Sequence, residues 1–240
     1  MSETILVLNP NSTQSVTDEM SAAVEPFRLA GAPLIVCETL REGPPGVETQ
    51  AQVDASTQLM IDWLATRPAY LDCAAVVIGC FSDPGLFALR ERLRQPVFGI
   101  GECGFNAASA LAERFGSIAI VSGSLGRHRR KIRALGFEHR YVGGLAAGLG
   151  VVELADRART WGRLQALGTQ LRDESGAQAI VLGCAGFSPY RSALEQHLGV
   201  PVIDPTQAAV AAALGQVLAR RAMASVPGQP AAAAEPRRAA

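Results

Sequence analysis

The sequence predicts an α/β fold made of two duplicated lobes, on three observations. Short, continuous runs of apolar and β-branched residues recur along the 240-residue chain, and helix-length segments with apolar residues at helical spacing lie between them. One stretch, AVVIGCFSDPGLFALRERLRQPVFGIG (75–101), has a second edition in AIVLGCAGFSPYRSALEQHLGVPVIDP (179–205). Unbroken apolar runs suit parallel strands covered on both faces, and strand–helix alternation is the pattern of α/β folds.

Taken in order, TILVL (4–8) reads as a strand that ends in the polar turn NPNST and leads to a helix over 13–29. LIVC (34–37) precedes a helix over 48–66, whose Trp63 shares helical spacing with Val53, Met60 and Leu64 and is read as core. AAVVIG (74–79) ends at Gly79-Cys80, and Asp83-Pro84 supplies an N-cap side chain and a first-turn proline for a helix over 84–94. PVFGI (96–100) and a helix over 103–114 follow. SIAIV (117–121) ends in a polar turn at Ser122 before a helix over 126–135, whose RHRRKIR (127–133) is read as a solvated basic face with Arg127 close enough to meet a substrate carboxylate. The region 137–152 is read as a connector, because its GGLAAGLG lacks the strand-to-helix setting of a dinucleotide fingerprint. A helix over 153–174, AIVLG (179–183) ending at Gly183-Cys184, Ser188-Pro189 ahead of a helix over 189–198, PVID (201–204) and a helix over 206–222 complete the second edition.

The register of the repeat is close to constant. Cys184 lies 104 residues after Cys80, Pro201 lies 105 after Pro96, and Ser122 lies 113 after Asn9. The expected division is residues 1–96 plus 206–222 as the first lobe, 97–205 as the second, and 223–240 as an Ala/Pro-rich tail without an apolar period, read as disordered.

Lys+Arg and Asp+Glu both total 22, so the chain has no global field to draw nucleic acid or an anionic membrane surface. No apolar run is long enough to span a bilayer and no cleavable leader is visible, which predicts a cytoplasmic protein. The expected partners are a small-molecule substrate and further copies of the chain in a homo-oligomer. Five cysteines without CxxC spacing favour free thiols over disulfides or zinc, so no metal is expected. His128, His139 and His197 are far apart in sequence and read as surface imidazoles.

Cys37, Cys73 and Cys103 have no counterpart in the other half, whereas Cys80 and Cys184 match in strand, glycine and helix start. An isolated Cys is most often a small buried residue; repetition favours a functional pair. Ligands of open parallel sheets collect outside the carboxyl ends of strands, where both Gly-Cys pairs fall. Helix N-termini just beyond would favour a thiolate or an anionic substrate group. Two thiols facing each other across a pseudo-twofold cleft suit inversion of a stereocentre, one removing a proton and the other returning one on the opposite face.

ILVLNPNST (5–13), GPPGVE (43–48), IGCFSDPGL (78–86), PVFGIGE (96–102), IVLGCAG (180–186) and GVPVID (199–204) together resemble the aspartate/glutamate/hydantoin racemase superfamily, and within it the hydantoin and allantoin racemase branch. The resemblance covers roughly residues 4–220. It implies two pseudo-symmetric Rossmann-like lobes with parallel sheets, an active site in the cleft between them, no cofactor, and Cys80 and Cys184 as opposed acid/base groups. It also implies substrate binding by Asn9 and Asn11, by Phe81 and Ser82 beside the first cysteine, by Ser122 and Gly123, and by Ala185 and Gly186 beside the second. Asn11 has a second reading as the cap of the helix beginning near Thr13, and helix capping alone accounts for Asp83. Two departures stand out: Ser122-Gly123 replaces the Thr-Thr common in hydantoin racemases, and Glu42 stands where an aromatic residue often precedes the Gly-Pro, which removes an expected stacking partner for a hydantoin ring. The function expected is a cofactor-independent racemase or epimerase acting next to a carbonyl in a hydantoin, an allantoin-like ureide or an amino acid. The alternatives are a decarboxylase or cis-trans isomerase of the same superfamily, or a small-molecule sensor without turnover.

Overall fold

The computed structural model describes residues 4–224. Strands β1 (Thr4–Asn9), β2 (Leu34–Thr39), β3 (Ala75–Ile78) and β4 (Val97–Gly99) form one sheet in the order β2-β1-β3-β4. Strands β5 (Phe115–Ala119), β6 (Tyr141–Ala146), β7 (Ala179–Gly183) and β8 (Val202–Ile203) form a second in the order β6-β5-β7-β8. Every pairing is parallel. The two orders are the same when the second set is counted from β5, so the repeat in sequence is a repeat in topology. The helices are α1 (Gln14–Ala23), α2 (Gln50–Ala65), α3 (Pro68–Leu71), α4 (Leu86–Arg92), α5 (Ile100–Leu111), α6 (Ser122–Ala134), α7 (Arg157–Asp173), α8 (Arg191–Leu198) and α9 (Pro205–Ala224).

Helices cover both faces of the central strands, which is why Ile5, Leu6, Val7 and Leu8 of β1 and all of β3 are buried. One apolar core runs through both sheets, joining Ile5, Val7 and Val77 to Ile118, Ile180 and Leu182. Helix α9 packs Ala209, Val210, Ala213 and Val217 into this core and lies against β1, β3, β4 and α5. Trp63 is buried with Met60 and Leu64 and stacks on Tyr70 at 5.5 Å between ring centroids. Among the described residues no helix is long and apolar enough to cross a membrane.

Several elements differ from the sequence reading. The region read as a connector contains β6, a half-buried edge strand whose YVGGLA has too few consecutive apolar residues to look like one. Helix α1 stops at Ala23 and a 3-10 turn over Glu25–Phe27 carries Pro26, whose ring nitrogen cannot donate to a helical bond. Helix α4 starts at Leu86 after Gly85 in the left-handed region, so Asp83 does not cap it. Instead both Asp83 carboxylate oxygens accept from the second and third amides of α5, Gly101 and Glu102, each at 2.8 Å, so α5 begins directly at the end of β4. Ser188 and Pro189 lie inside a 3-10 turn over Ala185–Tyr190, and α8 starts only at Arg191. Helix α9 continues to Ala224, taking in residues 223–224 of the expected tail; the remainder of that tail, 225–240, lies outside the described residues.

Candidate active site

Cys80 and Cys184 follow directly from the glycines that end the apolar runs of β3 and β7. Both glycines are required by crowding. A Cβ on Gly79 would come within 2.7 Å of Met20 Sδ, and one on Gly183 within 2.6 Å of the Ile118 carbonyl oxygen. The two cysteines line one cavity of about 30 Å³. Its polar lining is Asn11, Ser82, Ser124 and His128; Val16, Val47, Phe81, Ile120, Val151 and Ala185 supply apolar walls. Grooves of about 290 Å³, sharing Ser82, and about 270 Å³, sharing Val16 and Val151, flank it.

Each thiol sulfur accepts from the backbone N–H two residues further on, Ser82 for Cys80 and Gly186 for Cys184. The matched turns therefore make matched contacts. Both residues are half-buried and line this cavity. Burial consequently dominates and pushes the Cys80 thiol up to about 11 and the Cys184 thiol up to about 12. The expectation that helix termini would depress them is not met: the N–H contacts act in that direction and are outweighed by desolvation. The surroundings also differ. Asp83 disfavours the Cys80 thiolate while Lys131 and Arg127 favour it, whereas Cys80, Glu19 and Glu48 all disfavour that of Cys184.

The polar lining presents donors. Asn11 Oδ1 accepts from Asn9 Nδ2 and from the Thr13 amide, both at 3.0 Å, which leaves the Asn11 amide group for the cavity. Its oxygen thus caps the turn before α1 while its nitrogen faces the site. Ser82 Oγ accepts from Arg127 Nε at 3.1 Å and Ser124 Oγ from Arg127 Nη2 at 2.8 Å, so each hydroxyl retains its own hydrogen to donate. Arg127 also donates to the Glu48 carbonyl at 2.7 Å, and Glu48 Oε1 accepts from the Val151 amide at 2.8 Å. These contacts tie the loop after β2 to α6 and to the loop after β6.

Of the residues expected at the site, Asn11, Cys80, Phe81, Ser82, Cys184 and Ala185 line the cavity. Asn9 does not: fully buried, it holds Asn11 from behind and bonds Thr17 Oγ1 at 3.0 Å. Gly186 reaches the site only through its amide on Cys184. Ser122 and Gly123 are exposed in the first turn of α6, and Ser124 takes the inward position instead. Glu42 borders a separate depression with Trp63 and Arg67, so the missing aromatic residue takes nothing from the cavity wall. Arg127 does not touch the cavity but stands behind two hydroxyls that do. His128 is the largest departure, being 3% exposed rather than a surface imidazole. Burial first, then Lys131 and Arg127, push it down to about 3, so it is neutral. The signal for both missed polar residues is the spacing Ser124, His128, Ile132, one buried stripe along an otherwise basic helix.

A sequence model for the family described as Asp/Glu/Hydantoin racemase matches residues 5–213. The chain is 31% identical to a hydantoin racemase of Paenarthrobacter aurescens over 206 residues, 85% of this chain and 87% of that one. It is 32% identical to a hydantoin racemase of Rhizobium meliloti over 219 residues, covering 86% and 85% of the two chains. The solved allantoin racemase from Klebsiella pneumoniae superposes with a TM-score of 0.81 at 28% identity, over 93% of this chain and 89% of that one.

Proposed function

Since the chain belongs to the Asp/Glu/hydantoin racemase family and is an isomerase, we propose that it racemises a neutral cyclic ureide, a hydantoin or an allantoin-like compound, using Cys80 and Cys184 as its two acid/base groups. The observation that carries this reading is the pair of cysteines at equivalent strand ends on one cavity whose lining carries no formal charge. An amino-acid zwitterion enclosed there would lack ionic partners for its ammonium and carboxylate, a costly burial. A ureide, rich in carbonyl oxygens, matches the donors of Asn11, Ser82 and Ser124.

Chemically, one sulfur as thiolate takes the hydrogen from the carbon beside the carbonyl, and the C–H electron pair moves into an enolate. The other thiol delivers its proton to the opposite face and becomes the thiolate. The cycle ends with the stereocentre inverted and the roles of the sulfurs exchanged; proton exchange with solvent restores the starting state. Nothing in these steps calls for a cofactor. Cys80, pushed up to about 11 against about 12 for Cys184, with Lys131 and Arg127 offsetting Asp83, is the base of the resting pair. Free thiols of this kind suit the reducing cytoplasm.

The test is incubation in D₂O with single enantiomers of a 5-alkylhydantoin, allantoin, aspartate and glutamate. Deuterium wash-in with inversion of a ureide supports the reading. Inversion of the amino acids alone would overturn the substrate class, and a new product without inversion, or binding without exchange, would overturn racemisation.

A further inference from the structure

One wall of the cavity is backed by a chain of three hydrogen-bonding side chains, two buried and the third half-buried, to which the two-thiol chemistry gives no task. Nδ1 of His128, on α6, lies 3.1 Å from Ser117 Oγ on β5, and that hydroxyl lies 2.7 Å from the Tyr141 hydroxyl on β6. Ser117 is fully buried. Two glycines keep space for the chain: a Cβ on Gly183 would come within 2.7 Å of His128 Cε1, and one on Gly144 within 2.5 Å of the Tyr141 hydroxyl and 2.9 Å of Ser117 Oγ. The Phe81 ring packs on the imidazole with centroids 4.7 Å apart. The ring is therefore fixed between the residue after Cys80 and the residue before Cys184.

The chain can run in two directions. If Nδ1–H donates to Ser117, then Ser117 donates to Tyr141 and the tyrosine proton needs a further acceptor; among the described residues the hydrogen-bond partner of that hydroxyl is Ser117 alone. In the opposite direction Tyr141 donates to Ser117, Ser117 donates to Nδ1, and all three groups are satisfied within the chain. The second direction places the imidazole proton on Nε2, which has no hydrogen-bond partner among the described residues, on a ring that lines the cavity.

We infer that His128 is a further catalytic residue, a neutral Nε2–H donor to the substrate's carbonyl oxygen that stabilises the enolate, and that Ser117 and Tyr141 are positioning residues that set its tautomer. The depressed basicity of the ring supports this role: it donates a hydrogen bond without being an imidazolium able to quench the enolate. The inference rests on the racemase reading for its catalytic part and on the hydrogen-bonded chain for the rest, and the test separates the two.

Nitrogen-15 NMR of the resting, full-length protein reads the tautomer without any substrate. The expected result is Nε2–H for His128, shifting toward Nδ1–H in Tyr141→Phe. The second probe is 5,5-dimethylhydantoin, a cyclic ureide whose ring carbon has no hydrogen to exchange; its binding should move the Nε2–H proton signal whether or not the enzyme turns anything over. In kinetics, His128→Phe should lose about 10²–10³ in kcat with a smaller effect on KM, and His128→Gln, which keeps a neutral donor, should recover roughly tenfold of the loss. An Nδ1–H or imidazolium ring in the resting protein, an unmoved His128 signal in protein saturated with dimethylhydantoin, or full kcat in folded His128→Phe would overturn the inference. Failure of the unmodified protein to exchange any ureide would instead sink the racemase reading, leaving the tautomer and the dimethylhydantoin signal to decide the donor.

Discussion

Cys80 and Cys184 occupy matched positions in unmatched surroundings, and replacing each alone tests what the match is for. A serine hydroxyl is a far weaker acid, so racemisation should fall by about 10² or more in Cys80→Ser and in Cys184→Ser, the scale of a lost general acid or base. The remaining thiolate still reaches the enantiomer that presents its hydrogen to it. Solvent deuterium exchange should therefore survive for one enantiomer in the first variant and for the other enantiomer in the second, read by NMR on folded protein; survival for the same enantiomer in both would refute opposed faces. The raised thiol values also predict a pH effect on stability. Folded Cys80 and Cys184 hold their protons to about 11 and about 12, against an ordinary 9.0, so above that ordinary value the native state binds more protons than the unfolded one. The resulting stability is complete below the ordinary thiol value and is lost as pH rises through the folded values. Denaturation midpoints should fall over that alkaline range, and the slope should flatten in Cys80→Ala/Cys184→Ala. The pair was legible in the sequence because a repeat marks it. Ser124 and His128 were not, because which residues of α6 face inward depends on where its first turn starts, and no cap side chain marks that start.

Among elements, α5 shows how distant residues set a helix start. Asp83, with φ of 51°, takes the second and third amides of α5 on its carboxylate and pairs with Lys131 of α6. The glycines of GIG follow from this: a Cβ on Gly99 would fall 2.3 Å from Asp83 Cγ, and one on Gly101 2.1 Å from the Phe81 carbonyl oxygen. Asp83→Ala leaves a mostly buried lysine unpaired and two helix amides without acceptors, so it should cost about 3–5 kcal/mol in denaturant unfolding; a loss below about 1 kcal/mol would show that the cluster relaxes easily. The motif PVFGIGE was visible in the sequence, but its cause was not, since Asp83 reads locally as the cap of the helix that follows it. Strand β6 was missed for a related reason. Its residues are half-buried and include Gly143 and Gly144, the latter emptied for hydroxyls from two strands, so local composition hides it. The repeat itself pointed to it: β2 needs a counterpart, and β6 begins 107 residues after β2, from Leu34 to Tyr141.

At the scale of the molecule, the walls of the cavity are tied to one another by residues far apart in the chain. Glu48 and Arg127 hold those walls, the first through the Val151 amide and the second through Ser82, Ser124 and the Glu48 carbonyl. A hydrogen bond to a charged group contributes about 1.5–3 kcal/mol, so Glu48→Ala should speed iodoacetamide alkylation of Cys80 and Cys184 by about tenfold or more. Mass spectrometry of the two peptides against Cys37 as an internal control checks this; unchanged rates would mean that the Glu48 contact does not restrain opening. The two-lobed duplication and the paired strand ends were readable from sequence, whereas this tie was not, because Glu48, at the end of GPPGVE, and Val151 are 103 residues apart and Val151 belongs to no motif. The unequal charge around the thiols carries a constraint of its own. Enantiomers of a substrate with a single stereocentre have equal free energy in water, so the Haldane relation forces kcat/KM to be identical for the two directions. The Asp83, Lys131 and Arg127 charges near Cys80 and the carboxylates near Cys184 can make one hand bind more tightly and turn over more slowly, in compensating proportion, but they cannot enrich either hand at equilibrium.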